Sequence, residues 1–116
     1  MGSGKQLKQN AALDKVAAVR VEDMFTYQYF SHSSPSGATA ANLTKQYAYK
    51  WTALGENIAR GTFSSGSQMV AAWMASPGHK ANILSTKFAE IGVAAAYGKY
   101  NGRNQWIAVQ VFGKPR

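Results

Sequence analysis

The chain has 116 residues, 46% of them hydrophobic and 12% aromatic, with 13 Lys and Arg against 5 Asp and Glu and no cysteine. That length suits one domain with one core, and the lack of thiols excludes a disulfide framework, thiolate zinc, iron–sulfur clusters and a cysteine nucleophile. No apolar run approaches the roughly 18 residues of a membrane span, and Met1-Gly2-Ser3-Gly4 reads as an expression scar without the apolar core of a signal peptide.

The net charge of +8 is unevenly placed: residues 1 to 23 hold four bases and three acids, residues 24 to 116 nine bases and two acids. No two basic residues are adjacent, and no nucleic-acid fingerprint is present. Dispersed bases give a positive surface suited to anionic polymers or lipid head groups, with no specific nucleic-acid site expected.

Taken in chain order, Leu13, Val16, Ala17, Met24 and Tyr27 keep helical spacing, with Arg20 in the one polar gap of the stripe, and predict the longest helix from about Gln9 to Tyr27. An aromatic cluster, Phe25, Tyr27, Tyr29 and Phe30, leads into the loop Ser31-His32-Ser33-Ser34-Pro35-Ser36-Gly37. A shorter helix is expected from Thr39 to Tyr49, then an extended piece from Trp51 to Ala59. Met69, Val70, Trp73 and Met74 share one helical face and predict a helix from about Ser67 to Ala75. Ser76 as N-cap and Pro77 at the first helical position predict a short helix through His79 to Leu84.

The last third changes period. Ala89 to Tyr97 and Gln105 to Phe112 read as two antiparallel strands joined at Asn101-Gly102. Ile107, Val109 and Val111 fall on one face of the second strand, and Trp106, Ala108 and Phe112 on the other. A sheet apolar on both faces needs cover on both, so the expected fold is α+β, a three-layer α-β-α sandwich around a small antiparallel central sheet.

Chemistry is concentrated in few residues. His32 lies in a Ser- and Pro-rich loop, His79 follows Ser76-Pro77-Gly78, and Glu56 is one of two acids in the last 93 residues. Two imidazoles and a carboxylate form a sensible divalent-metal set that leaves a position open to water. His79 in a first helical turn would stay neutral for a metal. The alternatives are a surface or packed role for each histidine, and for Glu56 a surface ion pair with Lys50 or Arg60. Ser33 and Ser34 make no triad with His32, and no G-x-S-x-G elbow exists. The loop from Gly61 to Gly66 lacks the P-loop Lys. Trp51, Trp73 and Trp106 are expected in the core.

Four ordered segments, Tyr29 to Gly37, Gly55-Glu56-Asn57-Ile58-Ala59, Trp73 to Leu84 and Glu90-Ile91-Gly92-Val93, together resemble the bacterial branch of the CAP superfamily. These SCP-like proteins include plant pathogenesis-related protein 1 and the cysteine-rich secretory proteins. The resemblance covers nearly the whole chain and implies an α-β-α sandwich, an extracellular or cell-surface location, and a cleft where two His and two Glu can hold zinc or another divalent cation. His32, Glu56 and His79 match three of the four. Ser76 stands where the second Glu would be, with Asn57 and Asn82 as further cleft neighbours. The family's usual first helix has no counterpart, so residues 5–116 are expected to be a single domain without it, and the face left open is a candidate for dimerisation. The resemblance implies a ligand-binding or interaction module. The alternatives are a hydrolase using Glu56, His32 and His79, or a lipid- or sterol-binding protein.

Overall fold

The computed structural model describes residues 7–62, 65–75, 81–83 and 85–116. Its elements are β1 (Lys8–Gln9), α1 (Ala11–Tyr27), α2 (Ala40–Gln46), β2 (Trp51–Gly61), α3 (Gly66–Ala75), β3 (Glu90–Tyr100) and β4 (Arg103–Pro115). The strands form one sheet in the order β1-β3-β4-β2, with β1 parallel to β3 and the other pairs antiparallel.

Helix α1 begins where Asn10 accepts a hydrogen bond from the Leu13 amide, an N-cap that satisfies one of the helix's orphan donors. Gln9, expected at the start of the helix, instead pairs with Ile91, and Lys8 before it with Glu90. The buried stripe is Leu13, Val16, Ala17, Arg20, Val21 and Met24. Tyr27, expected on that stripe, is 64% exposed, because the helix ends there with Gln28 in the left-handed conformation.

The second helix stops at Gln46 rather than running to Tyr49. Thr39 and Asn42 close a reciprocal capping box at its start. At its end Ala48 turns left-handed, which sends Tyr49 into the core, where its hydroxyl donates to Glu90 Oε1 at 2.8 Å. Strands β3 and β4 both run further toward their turn than expected, meeting at Asn101 and Gly102 with φ of 54° and 83°. Both values suit the two-residue turn whose twist matches a hairpin.

Both faces of β4 are covered. Ile107, Val109 and Val111 pack with the α1 stripe, while Ala108 packs with Met69 and Trp73 of α3. Phe112 stacks on Phe88 at 5.5 Å between ring centroids. The three-layer arrangement is therefore realised, with α1 and α2 on one side and α3 on the other. Over β3 the second cover is thin, and Val93 and Tyr97 are 46% and 58% exposed.

The outer edge of β3 is closed by side chains. Asp14 Oδ1 accepts from the Val93 amide, while Gln28 donates to the Lys99 carbonyl and accepts from the Asn101 amide. Such blunting at both ends leaves little room for strand addition. Of the short helix expected from Ser76 to Leu84, residues 81–83 are helical; Ser76 and His79 lie outside the described residues.

Candidate functional site

Strand alternation decides which β2 side chains face which layer. Glu56, Ile58 and Arg60 sit opposite Val111, Val109 and Ile107, so their side chains lie on the face covered by α1. Asn57 points to the other face.

Glu56 meets Arg20, which α1 carries at the polar position of its apolar stripe. Arg20 is 1% exposed. Its Nε donates to Glu56 Oε2 at 2.7 Å and its Nη2 to Oε1 at 3.3 Å, while Nη1 donates to the Tyr29 hydroxyl at 2.7 Å and Nη2 also reaches the Ser31 carbonyl. One guanidinium thus ties the helix, the edge strand and the loop that carries His32. Burial works against its charge, but pairing with Glu56 and then Tyr29 outweighs this and raises its pKa above the ordinary arginine value.

His32 completes the chain. Its Nδ1 lies 2.7 Å from Glu56 Oε1, and its side chain is 65% exposed against 7% for Glu56. A carboxylate paired with a guanidinium has no proton to give, so Nδ1–H is the donor. In the neutral ring this leaves the Nε2 lone pair for an incoming group, the role a carboxylate behind an imidazole commonly confers. Glu56 is therefore paired with neither Lys50 nor Arg60, as the surface alternative had it. Its two oxygens are occupied by Arg20 and His32.

On the opposite face Asn57 donates to Gln110 at 3.0 Å, and Asn82 donates to Asn57 Oδ1 at 2.9 Å and to the Glu56 carbonyl at 3.4 Å. The segment containing Asn82 is thereby fastened to the strand at Glu56. Among the described residues no three His, Cys, Asp or Glu side chains converge on one metal position. Of the expected site residues, the structure joins His32 to Glu56 on one face of β2 and Asn82 to Asn57 on the other, the two pairs linked through the Glu56 carbonyl. It adds Arg20, Tyr29 and Gln110, which the sequence reading missed. The signal for Arg20 was present, a lone cation on an otherwise apolar helix face.

Tyr29 gives the site a pH signature. Burial first, then its hydrogen bond to Asp23, push its phenol up to about 12, with Arg20 pulling the other way. The folded chain holds this proton more tightly than the unfolded one, whose phenol titrates near pH 10. The resulting stabilisation is full below about pH 10 and is lost as pH rises through about 12. Denaturant midpoints measured across that window should fall less steeply in Tyr29→Phe than in the parent, and equal slopes would contradict the assignment.

The chain is thus an α-β-α sandwich domain in which an edge-strand carboxylate, held by a buried arginine, is backed onto an exposed loop histidine. The chain belongs to the cysteine-rich secretory protein family, whose CAP model matches residues 3–112. It is 37% identical over 89 residues to the protein YkwD of Bacillus subtilis (strain 168), a match covering 77% of this chain and 34% of YkwD. The chain thus spans about a third of that relative. Among solved structures it is similar to an extracellular SCP-domain protein of Bacillus anthracis str. Ames, with a TM-score of 0.76 and 29% identity over 93% of this chain and 33% of the other. An outer surface protein of Borrelia burgdorferi shares the fold at a TM-score of 0.77 and 24% identity, over 97% and 80% of the two chains.

Proposed function

We propose that this CAP domain is an extracellular or cell-surface binding module whose site is built on the Arg20–Glu56–His32 chain and takes a divalent cation such as zinc. The observation that carries the reading is the Nδ1 contact of His32 to a carboxylate already held by arginine, which presents Nε2 outward. In this reading His32 and His79 are the ligands, and Glu56, with both oxygens engaged, orients His32. His79 is three residues from Asn82, a reach of at most about 11 Å, and Asn82 is bonded to the Glu56 carbonyl. The location rests on similarity to proteins described as extracellular or outer surface. A bound divalent cation would supply Lewis acidity at this position.

Calorimetric zinc titration at neutral pH tests the site. The parent should bind, and His32→Ala and His79→Ala should each weaken binding at least tenfold, as expected for loss of one of two imidazole ligands. Absence of zinc heat in the parent removes the metal reading. A peptide and ester hydrolysis screen on the same three proteins separates the alternatives. Metal-dependent turnover lost in both variants would replace the binding module with a hydrolase in which Glu56 serves as general base.

A further inference from the structure

The basic surface has one position that differs from the rest. Only two acids lie beyond residue 23, Glu56 and Glu90, and both are engaged: Glu56 with Arg20 and His32, Glu90 with Asn10 and Tyr49. Among the described residues Arg60 and Arg103 have no carboxylate partner. Arg60 is nonetheless held in place. Its guanidinium lies 5.1 Å from the Phe30 ring centroid and 5.0 Å from that of Tyr100, and its Nη1 is 3.5 Å from Gln105 Oε1. Aromatic contacts of this kind fix a guanidinium without neutralising it.

Arg60 and Arg103 line a recess of about 500 Å³ together with, among the described residues, Gly61, Thr62, Asn101 and Gln105. Among the described residues its wall is polar and carries no large apolar side chain. We propose that this recess is an anion subsite for the phosphoryl group of a polyol or sugar phosphate. A planar guanidinium presents parallel N–H donors that match two oxygens of a phosphate, Arg103 supplies the second positive charge, and Thr62 and Asn101 suit hydroxyl groups. Gln105, buried and bonded to Arg60 and to the Tyr100 carbonyl, holds the arginine in place.

The recess deepens the binding-module reading and rests on it. Arg60 and Glu56 share one face of β2, four residues apart, so about 13 Å of strand separates them. A phosphodiester-linked envelope polymer lying along this face would meet the arginine recess and the His32 position as successive contacts.

The test is a titration of ¹⁵N-labelled protein with sn-glycerol 3-phosphate, followed by amide and arginine Nε shifts, with glycerol as the neutral control. Saturable shifts confined to residues 60–62 and 101–105 are expected. Arg60→Lys, which keeps the charge and loses the planar fork, should weaken binding about tenfold, and Arg103→Gln should also weaken it. His32→Ala should leave it unchanged, so failure of the metal site and failure of this subsite are distinguishable. Shifts spread without saturation over the basic surface, saturation by glycerol alone, or an Arg60→Lys protein of parental affinity would each overturn the proposal. Binding to phosphatidylserine vesicles without any glycerol phosphate shift would transfer recognition to a lipid surface and overturn it as well.

Discussion

Glu56→Ala should destabilise the fold by about 3–5 kcal/mol, the usual cost of leaving one member of a buried ion pair alone. The side chains of Arg20 and Glu56 are 2% and 7% exposed, so the stranded guanidinium has no route to water without moving α1. A domain of this size has about 5–15 kcal/mol in total, and the variant should lose a large part of its denaturant midpoint. Two controls separate charge from packing. Glu56→Gln keeps an acceptor for Arg20 Nε and should lose less. The double variant Arg20→Met, Glu56→Leu removes both charges together and should recover much of the loss, since apolar pairs of similar volume often replace buried ion pairs without penalty. If Glu56→Ala unfolds at the parental midpoint, the pair contributes nothing to the fold and the site is merely an exposed contact.

The same cycle bears on function. The guanidinium also bonds the Tyr29 hydroxyl and the Ser31 carbonyl, one residue before His32. In the stable double variant the loop would therefore lose its anchor while the fold survives. His32 loses both its carboxylate partner and the anchor of its loop, and the zinc affinity proposed for the parent should fall with them.

Much of the fold was legible because it is written in local periodicity. The α1 stripe and the Asn101-Gly102 hairpin need only neighbouring residues, and the two apolar faces of β4 already demanded a layer on each side. What escaped was set by distant partners. Strand β1 is two residues long and exists only because Glu90 and Ile91 accept it. Helix α2 stops early because Tyr49 is drawn to Glu90, 41 residues away. At the site, His32 and Glu56 stood out as rare residue types in unusual segments, and the structure places them in contact. Arg20 was equally visible as a polar interruption, yet nothing in its own segment indicates that its counter-charge lies 36 residues on. Periodicity locates a face, and only the packed sheet decides what that face meets.

The close approach of α1 to the sheet is what allows a helix-borne arginine to reach an edge-strand carboxylate, and Gly92 permits it. A Cβ on Gly92 would overlap the carbonyl group of Leu13 and the amide nitrogen of Asp14, all backbone atoms of the first turn of α1. Backbone cannot yield as a side-chain tip can, so Gly92→Ala should cost about 3 kcal/mol or more, the upper range for overpacking. Gly98 on the same strand is the control. Its added Cβ would meet ring carbons of Phe25 at 3.3 Å, a side chain able to shift, and the better strand entropy of alanine offsets part of the strain. Gly98→Ala should therefore stay within about 1 kcal/mol of the parent. Hydrogen exchange gives the mechanism a second readout. In Gly92→Ala the amides at the start of α1 and the Val93 amide, which donates to Asp14 Oδ1, should exchange faster, while the β2–β4 ladder keeps its protection. Because α1 carries Arg20, displacement of its first turn should also loosen the Arg20–Glu56 pair, and the proposed zinc binding should weaken in Gly92→Ala but not in Gly98→Ala. Parental stability in Gly92→Ala would mean that the helix can retreat without consequence, and the account of how Arg20 reaches Glu56 would have to be abandoned.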